Sequence, residues 1–179
     1  MYELSKNLEI QERLREELKE MLVKNDGKIT YESVAKASEM PYLHQVVCET
    51  LRLYSILPVL ERVCINPGGV SLEPFSDFKI PFGMPVIIPT FGIGRDEKYF
   101  PDPLKYDPDR FSPENIDTIP SCVHTPFGIG PRNCIGERLG LIQTKTALCS
   151  MLKDFRVEMT DNTPHEIKFR KNANHIQSD

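Results

Sequence analysis

No stretch of this 179-residue chain comes near the roughly eighteen consecutive apolar residues that a membrane-spanning helix needs, so no segment reads as one. Cysteine is sparse and unpaired in pattern. Cys48, Cys64, Cys122, Cys134 and Cys149 are odd in number and contain no CxxC pair. That argues against a disulfide framework and a four-cysteine zinc site, and points to a reducing compartment. Positive charge is not in excess either. The 22 Lys and Arg against 26 Asp and Glu leave a net charge of −4, which is no footprint for nucleic acid. Met1 to Lys6 does not read as a signal peptide. There is no internal repeat and no low-complexity tract. What is present is a hydrophobic fraction of 40% and a charged fraction of 27%, the composition of a folded globular chain.

Residues 2–24 read as an amphipathic helix, with Leu4, Leu8, Leu14, Leu18 and Leu22 on one stripe. The stripe starts with no capping residue before it, the pattern expected of a chain entered partway along a longer protein. Thr30 is placed to cap a short helix over 31–38. Pro41 suits the first turn of a strongly apolar helix over 41–54. Prolines then crowd the stretch from Pro58 to Pro131, which predicts an irregular middle. Short strand-like runs at 57–64, 70–73, 77–80 and 84–89 form a small β-region over 57–89, with turns at Pro67-Gly68-Gly69 and Pro81-Phe82-Gly83. Residues 95–125 read as a packed meander and 126–136 as a loop. Residues 137–153 read as a helix apolar almost all round, buried on most sides. Strand-like pieces at 155–160 and 166–169 fall in a C-terminal β-segment, 155–179. The fold class is mainly α with small β-sheets, in one partial domain, 1–179.

The loop at 126–136 carries the chemistry. It runs Phe127-Gly128-Ile129-Gly130-Pro131-Arg132-Asn133-Cys134-Ile135-Gly136. A thiolate ligand needs an electropositive setting to stay ionised. Cys134 is expected where a helix begins, so that backbone N–H groups and the helix dipole favour its charge. Gly128, Gly130 and Gly136 let the backbone approach a flat ligand closely. Phe127 can pack beside the sulfur. Arg132 can pair with an anionic edge of such a ligand through a charge-assisted bond. A redox-sensing thiol is a weaker reading, because such a sulfur is accessible and this one is bracketed by an aromatic ring and glycines.

Phe127-x-x-Gly130-x-Arg132-x-Cys134-x-Gly136 resembles the haem loop of the cytochrome P-450 monooxygenases. The resemblance implies haem b (iron protoporphyrin IX) as cofactor, Cys134 as axial ligand of its iron, and the C-terminal haem-binding portion of the cytochrome P-450 fold. Two Glu-x-x-Arg pairs occur. Glu12 to Arg15 lies among charges and reads as a solvated ion pair of little value. Glu49-Thr50-Leu51-Arg52 lies among Val47, Leu51 and Leu53, where a buried carboxylate and guanidinium must satisfy each other. Pro108-Asp109-Arg110-Phe111 is similar to the family's meander motif, with Asp where Glu is common. By that resemblance Arg110 completes a network with Glu49 and Arg52 whose role is architectural.

Further implications are inherited in the same way. Arg62 is expected to reach a propionate, and Ile56, Val59 and Leu60 to line a lipophilic substrate's side. Leu72-Glu73-Pro74-Phe75 and Tyr99-Phe100-Pro101-Asp102-Pro103 resemble the microsomal insect-type branch. Gly94 and Glu97 depart from it, standing where His and Pro are common. Arg138 and Lys145 read as a solvated face; by analogy they would look toward an electron donor. His44, His124, His165 and His175 show no ligand spacing, and Cys48 and Cys149 read as core. The branch implies an NADPH-dependent reductase as partner, a lipophilic small-molecule substrate, and the cytoplasmic side of the endoplasmic reticulum membrane. No match is present to the family's membrane anchor, distal haem face, central helix or oxygen-handling Gly/Thr motif. The implied activity is haem-thiolate monooxygenation, present as a C-terminal fragment; the alternative is a truncated fragment without catalysis.

Overall fold

The computed structural model describes residues 1–169. Helix α1 spans Tyr2–Lys6, α2 Leu8–Lys24, α3 Tyr31–Ala35 and α4 Pro41–Leu53. Strands β1 (Leu60–Val63), β2 (Val70–Leu72), β3 (Ser76–Ile80) and β4 (Pro85–Ile88) follow, then the short helix α5, Thr90–Ile93. Three 3₁₀ turns at Pro108–Phe111, Ile116–Thr118 and Gly130–Arg132 punctuate the meander and loop, and α6 covers Glu137–Asp154. The chain is mainly helical with small antiparallel sheets.

The single helix expected over 2–24 is two helices. Asn7 adopts a non-helical backbone, φ −114° and ψ 75°, and its Nδ2 donates to the Glu3 carbonyl at 2.8 Å. The side chain thus competes with the helix for a backbone acceptor, as Asn does readily. The break is locked from below by Gln11, which is wholly buried. Gln11 donates Nε2 to the carbonyls of Leu4 and Val157 and accepts the Val157 N–H, at 2.8–2.9 Å.

The core lies where α2, α4 and α6 meet. Leu14, Leu18 and Met21 of α2 recur every three or four residues, so they share one face. They pack on Leu43, Val46 and Val47 of α4 and on Cys149 and Leu152 of α6. Leu8 lies off that face and is exposed. Thr30 and Ser33 form a reciprocal capping box for α3, whose helix ends at Ala35. Pro41 occupies the first turn of α4, where its missing N–H costs nothing. The next two amide groups of that turn, Tyr42 and Leu43, donate to the two carboxylate oxygens of Glu17 at 2.7 and 2.8 Å. A side chain of α2 therefore supplies the cap that the chain just before α4 does not.

Strands β1 and β4 pair from Leu60↔Ile88 to Val63↔Pro85. Strands β2 and β3 form a separate hairpin. Both ladders are largely open to solvent. Helix α6 differs from expectation: only Lys145, Cys149 and Leu152 are buried, while Leu139 and Met151 stand exposed. Among the described residues only α2, α3 and α4 pack on it substantially, so one face is covered, not most sides. Lys145 points into that covered face and is 3% exposed, which corrects its reading as a solvated residue. Residues 155–160 carry no strand, and of 166–169 only Phe169 forms a bridge. The remainder of the segment expected over 155–179, with His175, lies outside the described residues.

Replacing Glu17 by Ala leaves two first-turn amides of α4 uncapped. Denaturant unfolding should show a loss of about 1–2 kcal/mol, the upper range of a helix N-cap, with Glu17→Gln retaining part of it.

Candidate haem-thiolate site and its supporting network

The network around Glu49 sets the frame for the site. Glu49 and Arg52 face the same side of α4, three residues apart, and both side chains are fully excluded from solvent. Arg52 Nε and Nη2 donate to the two carboxylate oxygens at 2.6 and 2.7 Å. The remaining guanidinium donors go to main-chain carbonyls of the meander: Gly94 at 2.5 Å, Pro103 at 2.8 Å and Lys105 at 3.3 Å. The Asp107 N–H donates to Glu49 Oε1 at 2.8 Å. Burial pushes the Glu49 carboxyl up, and Arg52, the Asp107 amide and Arg110 pull against it.

Arg110 joins more loosely than the motif implies. Its Nε stands 3.6 Å from Glu49 Oε1, too long for a hydrogen bond, and has no partner. Its Nη2 donates instead to the Asp102 carbonyl at 2.9 Å. Asp109, the residue beside it, receives both bonds of Arg13 at 2.9 Å. Two further contacts escaped sequence reasoning. Gly94 approaches α4 so closely that a Cβ would meet the Arg52 carbonyl oxygen at 2.5 Å. Arg95 donates to the Leu53 carbonyl at the end of α4 and lies 4.1 Å from the Phe91 ring. The Gly94 departure from the family pattern was the only available sign of the first contact; nothing in spacing marks the second. Tyr106 adds a third: its hydroxyl donates to the Val46 carbonyl at 2.9 Å.

The other Glu-x-x-Arg pair is weak as an ion pair, at 3.8 Å between Arg15 and Glu12. Arg15 is nevertheless not merely solvated. It donates to the carbonyls of Leu152 and Phe155 at the C-terminal end of α6, where a cation meets the helix's negative pole.

The cysteine loop sits between the meander and α6. Gly128 and Gly130 take φ of +78° and +77°, a region that side chains with a Cβ disfavour. These turns bring the Cys134 N–H onto the Phe127 carbonyl at 2.8 Å. A Cβ at Gly136 would lie 3.8 Å from the Cys134 sulfur. Cys134 does not begin the helix, as expected from sequence; α6 opens at Glu137 after Gly136, and a 3₁₀ turn precedes the cysteine. Cys134, Arg132 and Arg62 are exposed, and Phe127 is half-buried. Arg62 Nη1 donates to the Glu61 carbonyl at 2.7 Å and makes no hydrogen bond or ion pair with the loop residues.

An apolar cavity of about 450 Å³ opens between α1, α4 and α6, with Phe127, Gly140, Leu141, Thr144 and Ile56 among its walls. Gly140 has open space where a Cβ would be. The donor set suits a haem: an exposed thiol with no hydrogen-bond partner among the described residues, an arginine two positions away for an anionic edge, and apolar walls next to the loop's Phe127. Cys149 and Cys48 form the contrast. Burial raises both thiols to about 11, so they stay protonated as core residues.

Removing Glu49 strands the Arg52 charge in a buried setting. Glu49→Ala is expected to cost about 3–5 kcal/mol in denaturant unfolding. Arg110→Ala, which removes a long contact and an unpartnered donor, should cost no more than about 1 kcal/mol. Gly94→Ala forces a backbone clash and should cost roughly 1–3 kcal/mol.

The comparisons with known proteins agree along the whole chain. The family profile described as Cytochrome P450 matches residues 1–177. The chain is 44% identical over 172 residues to "Probable cytochrome P450 6w1" of Drosophila melanogaster, covering 94% of the chain and 33% of that protein. It is 41% identical over 179 residues to "Cytochrome P450 6a9" of the same species, covering all of the chain and 34% of the relative. It is 46% identical over 164 residues to "Cytochrome P450 6k1" of Blattella germanica, covering 92% and 30%. The chain spans about a third of the length of these curated relatives. With a match of this extent and the Glu49–Arg52 network and cysteine loop in place, the chain belongs to the cytochrome P450 family.

Proposed function

We propose that Cys134 is the axial thiolate ligand of a haem b iron, and that the protein to which this chain belongs is a haem-thiolate monooxygenase. It inserts one oxygen atom from O₂ into a lipophilic organic substrate. The observation that carries this reading is the loop itself: two left-handed glycines and the Cys134-to-Phe127 hydrogen bond present an unpartnered thiol at a rigid turn. Family membership supports it. The haem, when bound, supplies oxygen activation, and a thiolate ligand favours O–O cleavage.

This chain's own residues have the following parts in that reading. Cys134 would hold the iron. Gly128, Gly130 and Gly136 would leave the backbone open to a flat ligand. Arg132, and Arg62 if it turns from its present contact with Glu61, neutralise propionates. Phe127 holds the Cys134 N–H on its carbonyl and lines the apolar cavity, and Glu49, Arg52 and Arg110 fasten meander to helix. Ile56, Val59 and Leu60 border the substrate. By analogy with the microsomal branch, electrons come from an NADPH-dependent reductase at the cytoplasmic face of the endoplasmic reticulum. No described helix is long and apolar enough to cross a membrane.

A second reading concerns the 179-residue chain by itself. Its thiol is exposed and its cavity open on one side, so alone it binds haem weakly and catalyses nothing. Reconstitution with haem and the reduced carbon monoxide spectrum separate the two. A thiolate-type band lost in Cys134→Ser supports ligation by this residue. A band that survives the substitution refutes it, and absence of haem retention by the chain alone supports the second reading.

A further inference from the structure

The segment that carries Cys134 is held to the rest of the molecule in an unusual way. Among the described residues, every hydrogen bond made by residues 121–136 is local. Val123 bonds to Pro120, Gly128 to Thr125, Asn133 to Gly130 and Cys134 to Phe127, and the link to α6 runs only through its first turn. No side chain of the segment donates to or accepts from α4 or the meander. Its attachment to the Glu49–Arg52 core is therefore by packing, and the contact that stands out is His124. The imidazole packs against Phe111 of the meander with ring centroids 4.6 Å apart and the planes tilted by 56°. Together with His124, the residues Val123, Thr125 and Pro126 line a small gap whose other walls are Leu51 and Arg52 of α4, Ser55, Thr90 and Gly94.

We propose that His124 is a positioning residue that seats the cysteine loop on the Glu49–Arg52 core, and that it does so only as an uncharged ring. This rests on the proposed role of Cys134. The charges that face the ring are cationic. Arg52 and His44, both on α4, oppose its protonation, and burial opposes it most. His44 is itself held down by burial and by Lys145. On the meander side, Asp109 is paired with Arg13, and Arg110 donates Nη2 to the Asp102 carbonyl while its Nε stands 3.6 Å from Glu49. None of the charges that bear on the imidazole is a carboxylate.

The sign of the effect follows from linkage. His124 sits at about 4 in the seated state, against about 6.5 for an unrestrained imidazole. Between those values the released loop binds a proton that the seated loop does not. Acid therefore favours release as pH falls from about 6.5 toward 4. Above that window His124 is neutral in both states and has no pH effect.

The test compares the full-length protein with its His124→Phe variant, which keeps a ring on Phe111 but cannot take a proton. Each is titrated from pH 7.5 to 4, following the thiolate-type carbon monoxide band and haem release. The expected result is an acid midpoint moved to lower pH in His124→Phe, with the release equilibrium at pH 5 at least about tenfold less favourable than in the parent. His44 titrates in both proteins, so the difference isolates His124. An unchanged midpoint overturns the proposal while leaving Cys134 ligation intact. Absence of a thiolate band at any pH in the parent would instead refute the ligation reading. Should the variant not accumulate, selective ¹³C labelling of histidine in the diamagnetic ferrous carbon monoxide complex reads the ring directly. A His124 resonance that titrates near 6.5 overturns the proposal, and one neutral to below pH 5 supports it.

Discussion

The buried pair of Glu49 and Arg52 is the constraint from which the rest of this structure hangs. Two charges removed from water stay there only if every donor and acceptor is met. Arg52 has five N–H donors in a fixed fork. Two go to the Glu49 carboxylate, and the rest reach Gly94 at the end of α5 and Pro103 and Lys105 in the meander. The meander has little regular secondary structure, so its path is set largely by the carbonyls it must deliver to this one guanidinium. Gly94 shows how tight that delivery is, because no side chain fits where its carbonyl turns toward Arg52.

Other long-range polar contacts follow the same logic of one element finishing another's hydrogen bonds. Glu17 of α2 closes the start of α4, and Arg15 of α2 closes the end of α6. Arg95 closes the end of α4. Helix ends leave unmet backbone groups, and here several are met from a distance, which fixes how the helices are placed as well as where they stop. The cysteine loop stands apart. Its hydrogen bonds are internal, so its shape is self-contained and its seat depends on packing. That division suits a loop that must hold one rigid conformation for a ligand while remaining attached at a single flank.

Much of the site was readable in the residues because its spacing is local. Three glycines around a cysteine, and a Glu and Arg on one turn of an apolar helix, require no knowledge of distant contacts. The apolar stripe of α2 and the Pro41 start of α4 were readable for the same reason. What was missed depends on partners far along the chain. The break at Asn7 depends on a side chain competing for the Glu3 carbonyl. Lys145 reads as a surface residue until α4 and α2 are packed over it. The apolar character of α6 overstated its burial, since composition records what a helix can cover and not what lies against it. The start of α6 at Glu137 moved Cys134 off the helix end, a matter of a few residues that periodicity does not resolve.

By itself, then, the order of residues determined the family, the ligand candidate and the helical core, because these are written in patterns a few residues long. Only the tertiary structure decided that Arg110 is a loose member of its network, that Arg62 donates to the Glu61 carbonyl, and that the His124 ring lies against Phe111. Those are questions of ångströms and of which charges face one another across elements. The physical terms that answer them, desolvation and contact at a distance in sequence, have no signature in any one stretch of the chain.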